Sequence, residues 1–334
     1  VRAVVLVGGF GTRLRPLTLS VPKPMLPVGH VPIIERLVAN LVRGGVDDVT
    51  LALGFRPEPF LEAFPDGTCA GATLRYAVEP MPLDTAGAIR FAADAAGIDS
   101  TFVVANGDVL TDLDVAALVD VHRRRGAEAT IHVIGVGDPS AFGVVAVDVD
   151  GRVERFVEKP APGTEPSNLI NAGTYVLEPS VLDLIPPGEK LSIERVTFPA
   201  VVAAGRLFAY PTDDYWIDTG KPDLYLAANL DVVSGRRLHD RCEPCGPGTQ
   251  VAASATIVES VISGRAIVGE QSRVERSVVL DGAVIDTAAT VTSSVVMGRI
   301  GAGARLVDCV IGADAVVADG ESLLGVRRPD PDLG

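Results

Sequence analysis

The run Leu6-Val-Gly-Gly-Phe-Gly-Thr-Arg-Leu-Arg-Pro-Leu-Thr18 places Gly8, Gly9 and Gly11 directly behind a short β-branched segment and follows them with Thr12 and Arg13. Glycine backbones can turn their N–H groups toward a phosphate chain, and an arginine beside them supplies charge. Lys23, in Val21-Pro-Lys-Pro-Met-Leu-Pro27, adds a second cation. Residues 1–34 hold Arg2, Arg13, Arg15 and Lys23 and no acid, in a chain of 43 acidic and 29 basic residues. This end is therefore suited to a small polyanion. The spacing is neither of two common phosphate motifs: the third glycine of G-x-G-x-x-G falls on Leu14, and no Gly-Lys-Ser/Thr follows. Only four of the cations are lysines, and three sit in similar tripeptides: Pro-Lys23-Pro, Glu-Lys159-Pro and Gly-Lys221-Pro. A lysine is a compact point charge where arginine is a planar fork, so the choice itself carries information.

Further along, Glu79-Pro-Met-Pro-Leu-Asp-Thr-Ala-Gly-Ala88 leads from a strand end into a helix, and Val104-Ala-Asn-Gly-Asp-Val109 sets Asp108 just behind a hydrophobic strand. Phe156-Val-Glu-Lys-Pro160, Asn171-Ala-Gly-Thr-Tyr175 and Tyr215-Trp-Ile-Asp-Thr-Gly-Lys221 complete the set. An aspartate at a strand end is often only a turn former or helix cap; several such motifs in one chain are a different matter.

Together, GGFGTRLRPLT…PKPMLP and these later segments resemble the sugar-phosphate nucleotidyltransferases, the nucleotide-sugar pyrophosphorylases. The resemblance covers essentially the whole chain. It implies that Gly8, Gly9, Gly11, Thr12, Arg13 and Lys23 hold the triphosphate, with Leu6, Glu79, Asp84, Thr85 and Gly107 completing the nucleotide site. It assigns Arg13, Lys23, Asp108 and Asp218 to catalysis, with Asp108 and Asp218 as ligands of Mg²⁺. Two carboxylates plus phosphate oxygens suit an ion that keeps octahedral oxygen coordination. It gives Gly143, Glu158, Lys159, Asn171 and Gly173 to the sugar phosphate. The base segment departs from the family's usual ExxPLGTAG in having Asp84 for glycine; aspartate is one of the few residues that tolerates a left-handed backbone. Glu79 offers a carboxylate that can accept from guanine N1–H and N2–H₂ together. Leu191-Ser-Ile-Glu-Arg-Val-Thr-Phe-Pro199 is similar to a segment of mannose-1-phosphate guanylyltransferases, which favours GTP and mannose 1-phosphate. Glucose-1-phosphate enzymes using dTTP, UTP or ATP share the remaining motifs. A non-catalytic regulatory relative would lose the charges at the phosphate site, and here they are all present.

The elements that position these residues divide at about residue 235. Up to there, strands Ala3–Val7, Val49–Leu53, Leu74–Val78, Phe102–Ala105 and Thr130–Ile134 alternate with helices Ile33–Arg43, Ala86–Ala96 and Val115–Arg124. That alternation predicts an α/β unit, a mostly parallel Rossmann-like sheet with helices on both faces and ligands at the carboxyl ends of its strands. After Ala141 the strands Val144–Val147, Val153–Val157 and Gly173–Leu177 suggest an antiparallel extension. Residues 236–250 read as a linker. From 251 to 325 aliphatics recur about every six positions, among them Ile257, Ile262, Val268, Val274, Leu280, Ile285 and Val291. This predicts a parallel β-helix, left-handed as the resemblance implies, a candidate subunit contact in a homo-oligomer, before a short tail at 326–334. His239, Cys242 and Cys245 in the linker are three potential metal ligands without a second pair nearby in sequence.

A net charge of −14 argues against nucleic acid or an anionic membrane as partner. No apolar run reaches the roughly 18 residues of a membrane span. Four cysteines are too few for a disulfide framework, no leader is recognisable, and a cytoplasmic protein is expected.

Overall fold

The computed structural model describes residues 1–54, 57–237 and 241–331. They form two compact units, one of Val1–Gly9 with Ile34–Trp216, the other of Phe10–Ile33 with Ile217–Gly334.

The first unit is built on a ten-stranded sheet. Strand Arg2–Leu6 lies parallel to both Asp48–Leu53 and Phe102–Asn106, with Leu6 opposite Ala52 on one side and Asn106 on the other. Ala72–Val78 extends this parallel half. Ala3, Val4 and Val5 are all fully buried, as continuous β-branched strands covered on both faces must be. The antiparallel half begins where Leu169–Leu177 pairs with Phe102–Asn106. Gly143–Val147 and Val153–Glu158 follow it outward. Leu169–Leu177 also pairs with Ala129–Gly135, and the register slips between Asn171 and Tyr175. Helix Asp84–Ala96 packs against strands Arg2–Leu6, Asp48–Leu53 and Ala72–Val78 through a face of small residues: Ala86, Ala88, Ala92 and Ala93. Short side chains let the helix axis approach the sheet closely, and Gly97 in a left-handed conformation ends it.

The second unit carries the β-helix: three five-stranded parallel sheets, each taking one short strand from every coil. The paired triplets begin at Thr256, Arg273, Thr290, Arg305 and Ser322, so successive coils take 17, 17, 15 and 17 residues. Fully or nearly fully buried aliphatics fill the axis, among them Ile262, Val268, Val274, Val279, Ile285, Val291 and Ile300. The six-residue reading is right in kind, with one position corrected. A coil of 17 residues has one side shortened to five, so Val279, not Leu280, stacks between Ile262 and Val296. A buried ladder runs beside the axis. Ser260 Oγ accepts from Ser277 N–H, Ser277 Oγ from Ser294 N–H, and Ser294 Oγ from Cys309 N–H, at 3.0, 3.0 and 2.9 Å. Each hydroxyl also donates to a carbonyl two residues back in its own chain, so the polar column is satisfied from end to end.

Among the described residues no helix is long and apolar enough to cross a membrane. No group of three or more His, Cys, Asp or Glu there is arranged to hold a metal. His239 lies outside the described residues; Cys242 is half-buried and Cys245 exposed.

Candidate active site

In the first unit the carboxyl ends of the parallel strands bring three motifs to one edge. Val7 N–H bonds to Ala52 O at 3.1 Å and Glu79 N–H to Leu53 O at 2.8 Å, so Gly8, Gly54 and Glu79 emerge side by side. The approach is close: a Cβ on Gly8 would meet Gly54 N at 3.4 Å and Glu79 Oε1 at 3.5 Å. On the other flank Gly107 N–H bonds to Leu6 O at 2.8 Å, and a Cβ there would lie 2.5 Å from Val7 Cγ1 and 2.8 Å from Leu6 O. Only glycine fits. Gly107 thereby sets half-buried Asp108 beside the end of the first strand.

Glu79 is buried, and its Oε2 accepts from Leu83 N–H at 2.9 Å. Burial pushes its carboxyl above the usual range, and the Leu83 bond pulls the other way. The carboxylate thus shapes the turn into helix Asp84–Ala96 with one oxygen, leaving Oε1 on the side of Gly8. Asp84 does adopt the left-handed backbone, φ +60°, and its Oδ1 accepts from Thr85 N–H at 2.8 Å. Thr85 turns its hydroxyl inward, to Glu194.

The sugar-phosphate candidates meet across the antiparallel half. Gly143 pairs with Glu158, and a Cβ on Gly143 would sit 2.7 Å from the Phe156 ring and 2.9 Å from Glu158 Oε2. Lys159 holds φ +49°, a strained backbone for lysine; its N–H bonds to Phe142 O and its Nζ lies 3.6 Å from Glu158 Oε1. Burial first, then the nearby Glu194 charge, lifts the Glu158 carboxyl above its ordinary range, while Lys159 and Arg195 oppose the rise. Asn171 donates to Tyr175 Oη and accepts from Gly173 N–H, at 2.9 and 3.0 Å. Gly173, φ +80°, sits in the slipped register, where a Cβ would meet Asn106 Nδ2 at 2.7 Å.

The second unit carries the other half of the motif set. Gly11, φ +59°, opens the turn Thr12–Leu14, and Thr18 Oγ1 locks it by donating to Gly11 O at 2.8 Å. Buried Lys23 places Nζ 3.2 Å from Asp218 Oδ1, and Arg13 Nη2 lies 3.8 Å from Asp218 Oδ2. Gly220 N–H also donates to Asp218 Oδ1, and a Cβ on Gly220 would collide with Arg13 Nη2 at 2.7 Å. Two cations and a carboxylate distant in sequence are thus held as one cluster, Asp218 oriented by two hydrogen-bond donors and the Arg13 ion pair. Asp108 in the first unit and Asp218 in the second each offer the hard carboxylate oxygens that a divalent ion of the magnesium type prefers.

The Nucleotidyl transferase family profile matches residues 2–235, and a GlmU-like C-terminal hexapeptide profile matches 248–329. The chain belongs to the nucleotidyl transferase family. This nucleotidyltransferase is 39% identical to the mannose-1-phosphate guanylyltransferase of Mycobacterium tuberculosis, over 86% of this chain and 81% of that one. It is 38% identical to the mannose-1-phosphate guanyltransferase of Schizosaccharomyces pombe, over 95% and 92%. Among solved structures, HddC from Yersinia pseudotuberculosis complexed with GMP-PN shares 29% identity at a TM-score of 0.59, covering 68% of this chain and 97% of that one.

Sequence reasoning missed three residues of the nucleotidyltransferase edge. Asn106, within the Val104–Val109 motif, carried no role of its own, yet its side chain packs on Gly173. Tyr175 is fully buried, its hydroxyl pushed well above its ordinary pKa chiefly by burial, and it anchors Asn171. Glu194 serves Thr85 from more than a hundred residues away. All three stood inside quoted motifs, yet nothing in local spacing signals the partner of the third.

Proposed function

We propose that this nucleotidyltransferase joins GTP to mannose 1-phosphate, forming GDP-mannose and releasing pyrophosphate. An oxygen of the sugar phosphate bonds to the α-phosphorus while the bond from that phosphorus to the pyrophosphate oxygen breaks. The attacking phosphate is already ionised near neutral pH, so no general base is needed. The observation carrying the reading is the gathering of Gly8, Glu79 and Gly107–Asp108 at the carboxyl edge of the parallel strands, where sheets of this kind bind nucleotides. The names of the two relatives and of the nucleotide-bound neighbour point the same way.

In this reading Gly8, Gly9, Gly11 and Thr12 wrap the triphosphate beside Leu6 and Gly107, and Arg13 and Lys23 neutralise it. Glu79 uses Oε1 toward the guanine donors. Lys159 takes the phosphate of the sugar phosphate, and Glu158, with Gly143, Asn171 and Gly173 around it, accepts sugar hydroxyls. Asp108 and Asp218 would hold Mg²⁺, which supplies charge neutralisation for phosphates about to react. Aligning the two anions and cancelling their repulsion are what these side chains contribute. The four cysteines are free thiols, in keeping with a cytoplasmic enzyme; a homo-oligomer through the β-helix belongs to the same proposal.

The test is a grid of GTP, ATP, UTP, CTP and dTTP against mannose, glucose and galactose 1-phosphates, with and without Mg²⁺, scored by nucleotide-sugar product. GTP with mannose 1-phosphate is expected to lead. A clear lead for dTTP or UTP would overturn the guanine assignment of Glu79.

A further inference from the structure

Leu191–Pro199 joins regions of the first unit that the chain otherwise keeps apart. Its start is stitched to the turn before helix Asp84–Ala96. Leu191 N–H donates to Leu83 O at 3.0 Å, and Leu191 O accepts from Ala86 N–H and Gly87 N–H at 2.8 and 3.3 Å. The fit leaves no room at Gly87, where a Cβ would lie 2.3 Å from Glu189 O. The segment then makes a π-helical turn, Ile193–Thr197, capped by Ser192 Oγ accepting from Arg195 N–H. Such turns are rare and occur frequently at functional sites. This one carries Glu194 to the nucleotide side: Oε2 accepts from Thr85 Oγ1 at 2.7 Å and from Ser192 Oγ at 2.6 Å. Ile193 N–H donates to the same Thr85 hydroxyl at 2.9 Å, so that hydroxyl is fixed both as donor and as acceptor. At the other end Phe198 packs on the sugar-phosphate side, with ring centroids 5.1 Å from Tyr175 and 5.4 Å from Phe156.

We propose that Glu194 is a positioning residue for nucleotidyl transfer, fixing the Asp84–Thr85 turn in register with the strands that carry Glu158, Lys159 and Asn171. Two substrates react at a rate set by their mutual alignment, and small misplacements cost large factors. Glu194 sits in a segment that bonds to the base-side turn while packing on the strands of the sugar-phosphate side. Its charge also reaches Glu158, and Lys159 and Arg195 are the cations that answer it there. The inference rests on the division of roles proposed above.

The experiment compares Glu194→Ala and Glu194→Gln in the full chain, using whichever nucleotide and hexose 1-phosphate the wild-type enzyme turns over best. Both KM values, kcat, the pH profile and the thermal midpoint are measured. Glu194→Ala should lower kcat and raise both KM values, each about tenfold. Glu194→Gln keeps an oxygen for the two hydroxyls and should restore the KM values to near wild type. By removing the charge facing Glu158, it should also move the acid limb of kcat/KM for the sugar phosphate to lower pH. The proposal fails if Glu194→Ala leaves the kinetic constants within about twofold, if only the thermal midpoint falls, or if Glu194→Gln is no better than Glu194→Ala. Should Glu194→Ala not fold, Thr85→Val against Thr85→Ser reads the same contact, with loss expected for valine and retention for serine. A wild-type preference for another substrate pair would unseat GTP and mannose 1-phosphate, while the Glu194 comparison would be read on that pair.

Discussion

The sheet-based unit and the β-helix place their strained backbone differently. In the β-helix, non-glycine residues with positive φ recur at equivalent corners: Glu259, Arg276, Ser293 and Asp308 along one, Gln271 and Ala288 along another. Each belongs to a rung and serves the same turn. In the sheet-based unit the same backbone region is taken by Asp84 and Lys159, both in candidate substrate segments, and by Ala70 in a tight turn. Strain repeated with the rung is architecture; strain confined to single motif residues marks where geometry is set for chemistry. The same division predicts that damage to one region appears as lost stability and damage to the other as lost rate.

The sharpest way to break that comparison is in the β-helix axis. Ile285→Ala removes a fully buried side chain from the stack and should cost about 2–5 kcal/mol in urea unfolding, leaving kcat/KM of the folded enzyme near wild type. A large kinetic loss with unchanged stability would erase the distinction. His132 tests the sheet-based unit for stability in its own right. It is fully buried, its Nε2 is 2.8 Å from Thr212 Oγ1, and burial lowers its pKa to about 4. Because the unfolded histidine takes up its proton at higher pH than the folded one, stability is retained above about 6.5 and is lost as pH falls toward 4. The full loss is about 3 kcal/mol, and His132→Asn should flatten that part of the stability profile. Lys23→Ala should lower kcat/KM on the order of 100-fold in pyrophosphate release, because a buried cation of the proposed phosphate site is lost.

Smaller effects sharpen the contrast. Asp84→Ala puts a side chain unsuited to φ +60° at the base turn and should cost about 1 kcal/mol in thermal unfolding, while Asp84→Gly stays closer to neutral. Cys309→Ser continues the serine ladder with its own kind of donor and should shift stability by less than about 0.5 kcal/mol.

The two regions also differ in how legible they are. A solenoid residue answers mainly to its own rung and the next one, so the aliphatic repeat sufficed to read the β-helix. The single slip, Leu280 for Val279, arose because at least one side of each coil is shorter than six residues. The strands and helices of the sheet-based unit were legible from periodicity, whereas Gly107 and Gly143 came only from the resemblance, and the structure supplies the close approach that requires glycine at each. What spacing could not reveal was partnership across the chain. Glu194 with Thr85, Asn106 with Gly173, and the inward turn of the Thr85 hydroxyl are set by tertiary packing, which leaves no local period to read.

Phe10–Ile33, the stretch bearing Arg13 and Lys23, groups with the β-helix. Ser263 donates to Gly29 O at 3.0 Å, His30 reaches Glu243 O at 2.8 Å, Arg327 donates to Arg13 O at 3.2 Å, and Gly312 leaves space for Pro16. The seat of these cations is therefore encoded some two to three hundred residues downstream of them. A shortened chain that kept every motif but ended before the hexapeptide coils would retain the reactive groups and lose the platform beneath them, so a minimal version of this enzyme cannot be cut out by motif alone.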